Sequence, residues 1–220
     1  MNTITIDVVS DVVCPWCYLG KARLEKALEL TADQVNVQVV WRPFQLDPET
    51  PAEGVDHHAR LAEKFGGREN VERAHQQIAD LGREVGLAYD FDAIKLTPNT
   101  LDAHRLLHWA QALGPEVQNR LAALLFKANF EEGQFLGDHT VLTRLAVEAG
   151  MEKEVVERLL ASDADKDTVR EEIEAAQRMG VSGVPCFIVN QKYAISGAQM
   201  PETLAGALLS IASENAQPSA

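Results

Sequence analysis

The sequence Ser10-Asp11-Val12-Val13-Cys14-Pro15-Trp16-Cys17 links a strand pattern to a helix pattern. Upstream, residues 3–9 alternate and are rich in β-branched side chains, which predicts a strand. Downstream, from Tyr18 to about Leu30, apolar residues recur at helical spacing. A second strand pattern follows at residues 35–41. The sequence thus predicts a strand–helix–strand unit, whose two strands should be parallel and joined by a right-handed connection.

The middle of the chain is almost entirely helical in pattern, and breaks containing glycine or proline separate its segments. We predict helices at about 55–65, 68–86, 100–112, 115–131, 138–149 and 152–161. We expect no strand within this block. Such a block cannot extend the sheet, so it should form a helical insertion.

Regular α/β structure resumes after the helical block. The pattern predicts a helix at 168–179, two short strands at 186–189 and 193–196 joined by a hairpin turn, and a final helix at about 201–213. We therefore expect an α/β fold in which residues 1–54 and 166–214 form one discontinuous domain. Residues 55–165 would be a helical domain inserted into it, and residues 215–220 a flexible tail.

The composition is that of a globular protein, with 220 residues of which 46% are hydrophobic and 24% charged. Twenty basic against 33 acidic residues give a net charge of −13. Because an acidic surface repels phosphate backbones and anionic lipids, we expect neither nucleic acid nor a membrane as a partner. No apolar stretch approaches the roughly 20 residues of a spanning helix, and no signal-peptide pattern is present. We therefore expect a cytoplasmic protein.

The pair Cys14 and Cys17 carries the strongest chemical signal. The sulfurs lie one helical turn apart on the same face and can form a disulfide. Backbone N–H groups at a helix N-terminus stabilise a thiolate, which makes Cys14 the expected nucleophile and Cys17 the resolving thiol. A buried, inert pair and half of a zinc site are the alternatives. No second C-x-x-C is present, and His104 and His108 have no evident third ligand, so we expect no metal.

These features resemble the cytoplasmic DsbA-like thiol oxidoreductases of the FrnE type, and the resemblance covers about residues 3–212. It rests on the stretches Asp11 to Gly20, Asn99-Thr100, Ala103-His104-Arg105, Leu125 to Gly133, Gly183-Val184-Pro185 and Tyr193 to Gln199. It implies a thioredoxin-like fold interrupted by an α-helical domain. It also implies dithiol–disulfide exchange with proteins or small thiols.

The resemblance assigns roles to single residues. Cys14 and Cys17 would be the redox pair, with Pro15 and Trp16 next to the substrate. Pro185 would be a cis-proline, and the main chain of Val184 would bind an extended substrate segment. Because Trp16 supplies no cation, we expect the pair to be less oxidising than relatives that carry histidine in this dipeptide.

Four further residues are candidates for auxiliary roles. Cys186 departs from the family pattern: it is either a buried small hydrophobe, a partner for an alternative disulfide with Cys14, or the third thiolate of a metal site. Asp7 either relays a proton to Cys17 or is a solvated carboxylate. His104 and Asn99 would line the substrate space by resemblance only.

Two other functions remain open at this point. The 2-hydroxychromene-2-carboxylate isomerases and kappa-class glutathione transferases are related families that bind glutathione, but the intact cysteine pair favours redox chemistry. A metal- or stress-responsive thiol-binding module is the non-enzymatic alternative. For the oxidoreductase no cofactor is required, although glutathione could serve as a thiol co-substrate. Both a monomer and a homodimer fit the sequence.

Overall fold

The computed structural model describes residues 2–214, so the expected tail at 215–220 lies outside the described residues. In chain order the elements are β1 (Asn2–Ser10), α1 (Pro15–Thr31), β2 (Val35–Pro43), β3 (Val55–Asp56), α2 (His57–Phe65), α3 (Arg68–Glu84), β4 (Leu96–Thr97), α4 (Leu101–Leu113), α5 (Pro115–Phe130), α6 (His139–Ala149), α7 (Lys153–Leu160), α8 (Lys166–Arg178), β5 (Cys186–Val189), β6 (Tyr193–Ser196) and α9 (Pro201–Glu214).

The main sheet has four strands in the order β2-β1-β5-β6. Strand β1 pairs in parallel with β2, which confirms the predicted strand–helix–strand unit. Strand β5 runs antiparallel to β1 and forms the predicted hairpin with β6. The sheet therefore combines the two ends of the sequence, as the spacing of the strand patterns indicated.

The two faces of the sheet pack against different elements. Ile6 and Val8 of β1 belong to the large core cluster, which also contains apolar residues of α1, α9 and the helical block. Val9 instead packs with Ala176 of α8 and with Cys186 of β5 in a second, smaller cluster. Strand alternation thus determines which side chains of β1 and β5 face the first helix.

The helical block contains α2 to α7 and a short ladder that the sequence analysis did not predict. Strands β3 and β4 pair antiparallel, with Val55 opposite Thr97. The prediction of no strand in this block was therefore wrong, and the helix expected from residue 55 begins at His57. The cause is local: the Asp56 carboxylate accepts a hydrogen bond from Ala59 N at 2.7 Å and caps the helix.

The large aromatic residues differ in how deeply they are buried. Trp41, Phe126 and Phe130 are buried in the core. Trp109 is only partly buried, and its indole N–H donates to the Asp165 carboxylate at 2.8 Å. Among residues 2–214, none of the helices is both long and apolar enough to span a membrane.

Candidate active site

The turn after β1 places Cys14 at the N-cap of α1. Its backbone is extended, with φ −91° and ψ 113°. Pro15 is the first residue of the helix, where a backbone N–H has no partner within the helix, so proline loses no hydrogen bond there. Cys17 N donates to Cys14 O at 2.9 Å, which closes the first turn. The two thiols therefore lie on one turn, and the sulfur of Cys14 lies at the helix end that favours negative charge.

Both thiols are free and buried, and Cys17 is only 1% exposed. Burial raises the pKa of Cys17 well above its usual value, and the hydrogen bond and charge of Cys14 raise it further. The Ser10 hydroxyl and the Asp11 main chain lower this pKa, but by less. Cys17 consequently retains its proton when Cys14 carries the negative charge.

The loop before β5 packs against the thiols from the opposite side. The Val184–Pro185 peptide bond is cis, as the resemblance implied. The carbonyl oxygen of Val184 lies 3.7 Å from Cys14 Sγ and can accept its S–H. Gly197 N donates to Pro185 O at 2.8 Å and fixes the loop to the end of β6. The site is thus formed by residues that are 170 positions apart in the sequence.

Aromatic side chains enclose the helix side of the turn, and the sequence analysis did not identify them. The Tyr89 hydroxyl donates to Pro15 O at 2.7 Å, and the Tyr18 hydroxyl donates to Glu131 at 2.9 Å. Burial raises the pKa of both tyrosines, so both are neutral donors near pH 7. Trp16, by contrast, is 40% exposed at the front of the turn.

A buried polar pair lies beneath the turn. Asp11 and His104 are both almost completely inaccessible, and Asp11 Oδ1 lies 3.4 Å from His104 Nε2. The other carboxylate oxygen of Asp11 accepts from Leu46 N at 2.8 Å. The resemblance placed His104 in the substrate space, but the structure buries it against Asp11, which the sequence analysis had not assigned a role. The signal in the sequence that pointed to Asp11 was a single acidic residue within the mostly apolar stretch before Cys14.

The Asn99 side chain hydrogen-bonds to other segments of the protein. Its amide nitrogen donates to Thr50 O at 2.7 Å, and its amide oxygen accepts from Leu101 N and from the Gln45 side chain. These bonds hold the loop after β2 against the start of α4. The hydrogen-bonding groups of Asn99 are thus used within the protein, and its expected substrate-lining role stays a prediction.

The proton relay from Asp7 to Cys17 is not supported. Asp7 alternates with Ile6 and Val8, which face the cluster that contains Cys14 and Cys17. The Asp7 carboxylate therefore lies on the other face of the sheet, where it accepts from Arg42 Nε at 2.7 Å. The sheet separates it from the thiols.

Cys186 lies in the second core cluster with Val9 and Ile188 and is 4% exposed. Burial raises the pKa of its thiol, and a hydrogen bond with Ser196 partly offsets this. Its neighbour Phe187 faces the cluster that contains Cys14 and Cys17, so Cys186 faces away. The packing fits a buried small hydrophobe and separates this thiol from Cys14. Within residues 2–214, no group of three or more potential ligands is placed to hold a metal ion.

The fold and the cysteine turn define a thioredoxin-like protein with a helical insertion, and the comparisons with known proteins give its family. The family model described as a DSBA-like thioredoxin domain matches residues 5–209. The chain belongs to this DsbA-like family of thiol oxidoreductases, which confirms the DsbA-like part of the resemblance and the fold class.

Individual proteins share sequence or fold with this chain. The crystal structure of the probable DsbA oxidoreductase SCO1869 from Streptomyces coelicolor is 34% identical, with a TM-score of 0.88 over 99% of this chain and 93% of that one. The uncharacterised protein YwbO of Bacillus subtilis is 28% identical over 85% of this chain and 87% of its own. A structure of 2-hydroxychromene-2-carboxylate isomerase shares the fold at 17% identity, with a TM-score of 0.72 over 98% of this chain and 100% of that one.

Proposed function

We propose that this protein is a thiol–disulfide oxidoreductase of the FrnE type that exchanges a Cys14/Cys17 dithiol and disulfide with protein or small-thiol substrates. One observation carries the proposal. A thiol at the N-cap of α1 lies 3.7 Å from the carbonyl of a cis-proline loop, directly beside a second buried thiol. This arrangement has a nucleophile, a resolving group and a main-chain binding edge in one place.

The reaction proceeds in two exchanges. The Cys14 thiolate attacks a substrate disulfide, forms a mixed disulfide and releases one substrate thiolate. Cys17 then loses its proton and attacks Cys14 Sγ, which forms the Cys14–Cys17 disulfide and releases the second substrate thiolate. Two electrons pass from the protein to the substrate, and the reverse sequence oxidises a substrate dithiol.

The surface around the turn suits an extended apolar segment with a thiol or disulfide. Trp16 and Leu46 are exposed at 40% and 39%. A small pocket of about 80 Å³ next to the turn has a largely apolar lining that includes Val13 and Leu46, with the charged residues Asp47, Arg60 and Lys64 also lining it. We propose that a substrate main chain binds at Val184 and that one side chain enters this pocket. Glutathione is the small-thiol co-substrate of the same proposal, and no cofactor is required.

Cysteine variants test the assignment of roles. Cys14→Ser should abolish insulin reduction with glutathione as the electron donor, because the remaining Cys17 is buried and keeps its proton. Cys17→Ser should still attack a disulfide but stop as a mixed disulfide, which intact-mass spectrometry detects as an adduct on Cys14. Cys186→Ala is the matched control and should retain most of the activity, with a stability loss of about 1 kcal/mol.

Two outcomes would contradict the proposal. One is a wild type that forms no reversible Cys14–Cys17 disulfide in a glutathione redox titration, and the other is a folded Cys186→Ala variant that has lost activity. Isomerisation of 2-hydroxychromene-2-carboxylate by the Cys17→Ser variant at the wild-type rate would instead indicate the isomerase chemistry. A cytosolic location belongs to the same proposal, and cell fractionation tests it.

A further inference from the structure

The small pocket beside the redox turn lies close enough to the nucleophile to receive a side chain of the substrate. Its wall begins at Val13, the residue bonded directly to Cys14, and continues over Leu46 in the loop after β2. Its volume of about 80 Å³ exceeds the roughly 10–15 Å³ that one water molecule needs, so a short side chain fits inside. An extended chain advances about 3.3 Å per residue, so a side chain one or two residues from the attacked cysteine can reach this pocket.

Asn129 of α5 is a buried polar residue of this pocket that lacks a partner. Its side chain is 3% exposed, and its amide makes no hydrogen bond among the residues that the structure describes. Neither amide atom is fully enclosed, so the amide opens onto the pocket that Asn129 lines. Buried amides are normally paired, as Gln118 of the same helix is with Trp41 O and Leu107 O. The unpaired Asn129 amide is therefore available to bind a ligand.

The charged residues that line the pocket are positive in sum, although the whole chain carries a net charge of −13. Asp47 is neutralised by Arg60, whose Nε donates to its carboxylate at 2.9 Å. Lys64, one helical turn further along α2, makes no ion pair within residues 2–214. Burial lowers the pKa of His57, which also lines the pocket, to about 4, so its ring is neutral near pH 7. Lys64 therefore leaves an uncompensated positive charge at the pocket.

The lining fits one class of side chain. Leu61 of α2 and Leu96 of β4 provide an apolar wall for methylene groups. The Asn129 amide and the Lys64 ammonium are both hydrogen-bond donors, and a charged donor binds a carboxylate about twice as strongly as a neutral pair binds. A basic side chain would instead meet the positive charges of Lys64 and Arg60. The pocket therefore favours an aspartate or a glutamate over a neutral or basic residue.

We infer that this pocket selects a protein segment with an acidic side chain close to its reacting cysteine, an inference that rests on the proposed exchange reaction. Asn129 and Lys64 bind the carboxylate, while the main chain of the segment lies along Val184. Both residues act on substrate choice and take no part in the bond changes. Cys14 Sγ bonds to the sulfur of the segment, and the thiolate on the other side of the substrate disulfide leaves with the electrons of the broken bond. The helical insertion thus supplies recognition, and the α/β layer supplies the reacting thiols.

Short peptides with one cysteine test this preference. The cysteine carries a thiopyridyl group in a mixed disulfide, so the attack of Cys14 on the peptide sulfur releases one absorbing pyridinethione. Acetylated and amidated ends leave a single glutamate as the one carboxylate, and its position is moved from two residues before the cysteine to two residues after it. At one position the second-order rate constant should exceed that of the glutamine peptide by about 10-fold at low salt. The advantage should shrink at about 1 M salt, because the Lys64 charge is then screened.

Substitutions in the pocket assign the preference to its residues. Lys64→Gln and Asn129→Leu should each bring the ratio of glutamate to glutamine rates close to one, and Lys64→Glu should favour a lysine peptide instead. A general structural defect would lower all rates together and leave the ratio unchanged. Lys153→Gln is the matched control: it removes the same charge from an exposed lysine of α7 that lines a different groove, and it should keep the wild-type ratio. Circular dichroism establishes that each variant is folded, and should Asn129→Leu not fold, the two Lys64 variants decide.

The outcomes distinguish this inference from the proposed function. Equal rates for the glutamate and glutamine peptides at every position would overturn the acidic preference and leave the exchange reaction standing. A preference that both Lys64 variants retain would also overturn it, because the carboxylate would then bind elsewhere. If glutathione with the same thiopyridyl group is the one substrate that Lys64→Gln slows, the pocket binds a small thiol and the assignment to a protein segment is wrong. If the wild type releases no pyridinethione from any of these disulfides, the proposed exchange function fails first.

Discussion

At the scale of single residues, the contact between α1 and the cis-proline loop depends on Gly20. A Cβ added to this residue would lie 2.8 Å from Pro185 Cγ and 3.3 Å from the Phe187 ring. These distances leave no room for a methyl group unless the loop moves. The absence of a side chain at Gly20 therefore brings the carbonyl of Val184 within reach of Cys14.

Gly20→Ala should accordingly destabilise the protein by about 1–3 kcal/mol, the usual cost of overpacking, and lower the rate of insulin reduction that the proposed function predicts. Gly206→Ala is the control, because a Cβ at this position of α9 meets no atom within 4 Å. Its expected effect is a gain of about 0.5–1 kcal/mol from helix propensity. Urea unfolding of both variants measures the difference. Equal stabilities for the two variants would contradict the role of Gly20.

The sequence identified the residues of the site that belong to local motifs and missed those that tertiary packing brings in. Cys14 and Cys17 share one turn, so spacing alone located them. Asp11 and His104 are 93 positions apart and meet only because α4 packs beside the turn. The role of Asp7 stayed open in the sequence because alternation shows that neighbours face opposite sides of a sheet, but not which side carries the thiols.

At the scale of elements, the start of α2 is a feature that sequence patterns did not predict. Helix α2 has no fully buried residue, although its turns alternate apolar and charged side chains. The short ladder of β3 and β4 fixes its start, and ladders of two residues are too short to show a periodicity. His57 adds a side-chain link, with Nδ1 2.9 Å from the Thr97 hydroxyl.

His57 should make the attachment of α2 sensitive to acid. Burial, followed by the repulsion of His58 and His75, lowers the pKa of His57 to about 4. Between about pH 6.5 and 4, His57 therefore binds a proton in the unfolded chain but not in the folded protein. The free energy of unfolding should fall as the pH drops through this range. One pKa unit corresponds to about 1.4 kcal/mol, and the partial solvent access of His57 reduces the effect. The expected loss in the free energy of unfolding is therefore on the order of 2 kcal/mol.

Urea unfolding at pH 7 and pH 4.5 measures this effect. His57→Asn keeps a polar group near Thr97 but cannot be protonated, so its stability should depend less on pH than that of the wild type. His58→Asn is the control, since it leaves the bond between His57 and Thr97 in place and should keep most of the pH dependence. The same acid loss in His57→Asn and the wild type would disprove the assignment.

At the scale of the whole molecule, Arg105 connects the helical block to the segment that returns to the sheet. Its side chain is fully buried on α4. The guanidinium donates to Ala164 O at 2.7 Å, to Leu159 O at 2.7 Å and to Ser162 O at 2.8 Å. These carbonyls surround the loop between α7 and α8, where the chain leaves the block and re-enters the α/β layer.

Patterns along the chain predicted both parts that Arg105 connects but not this connection. The strand and helix periodicities depend on neighbours within each element, so they describe the sheet, the hairpin and most helices. The bonds of Arg105 reach residues 54 to 59 positions away, and nothing in the spacing of charged residues marks them. Arg105 was part of the motifs that carry the resemblance and received no separate role there, whereas in the structure it holds the loop.

Arg105→Lys should therefore destabilise the whole molecule although it keeps the charge. A lysine ammonium lacks the planar array of donors of a guanidinium, so it cannot donate to the three carbonyl oxygens and to Asp102 at the same time. With each buried group left unpaired costing about 1–3 kcal/mol, the expected loss is about 2–4 kcal/mol. Arg170→Lys is the matched control: its partner Asp167 lies 2.9 Å away on the exposed side of α8, and such pairs contribute about 0–1 kcal/mol. Urea unfolding followed by circular dichroism measures the free energy of unfolding of both variants. If Arg105→Lys lowers it no more than Arg170→Lys does, the helical block and the α/β layer hold together without the Arg105 side chain.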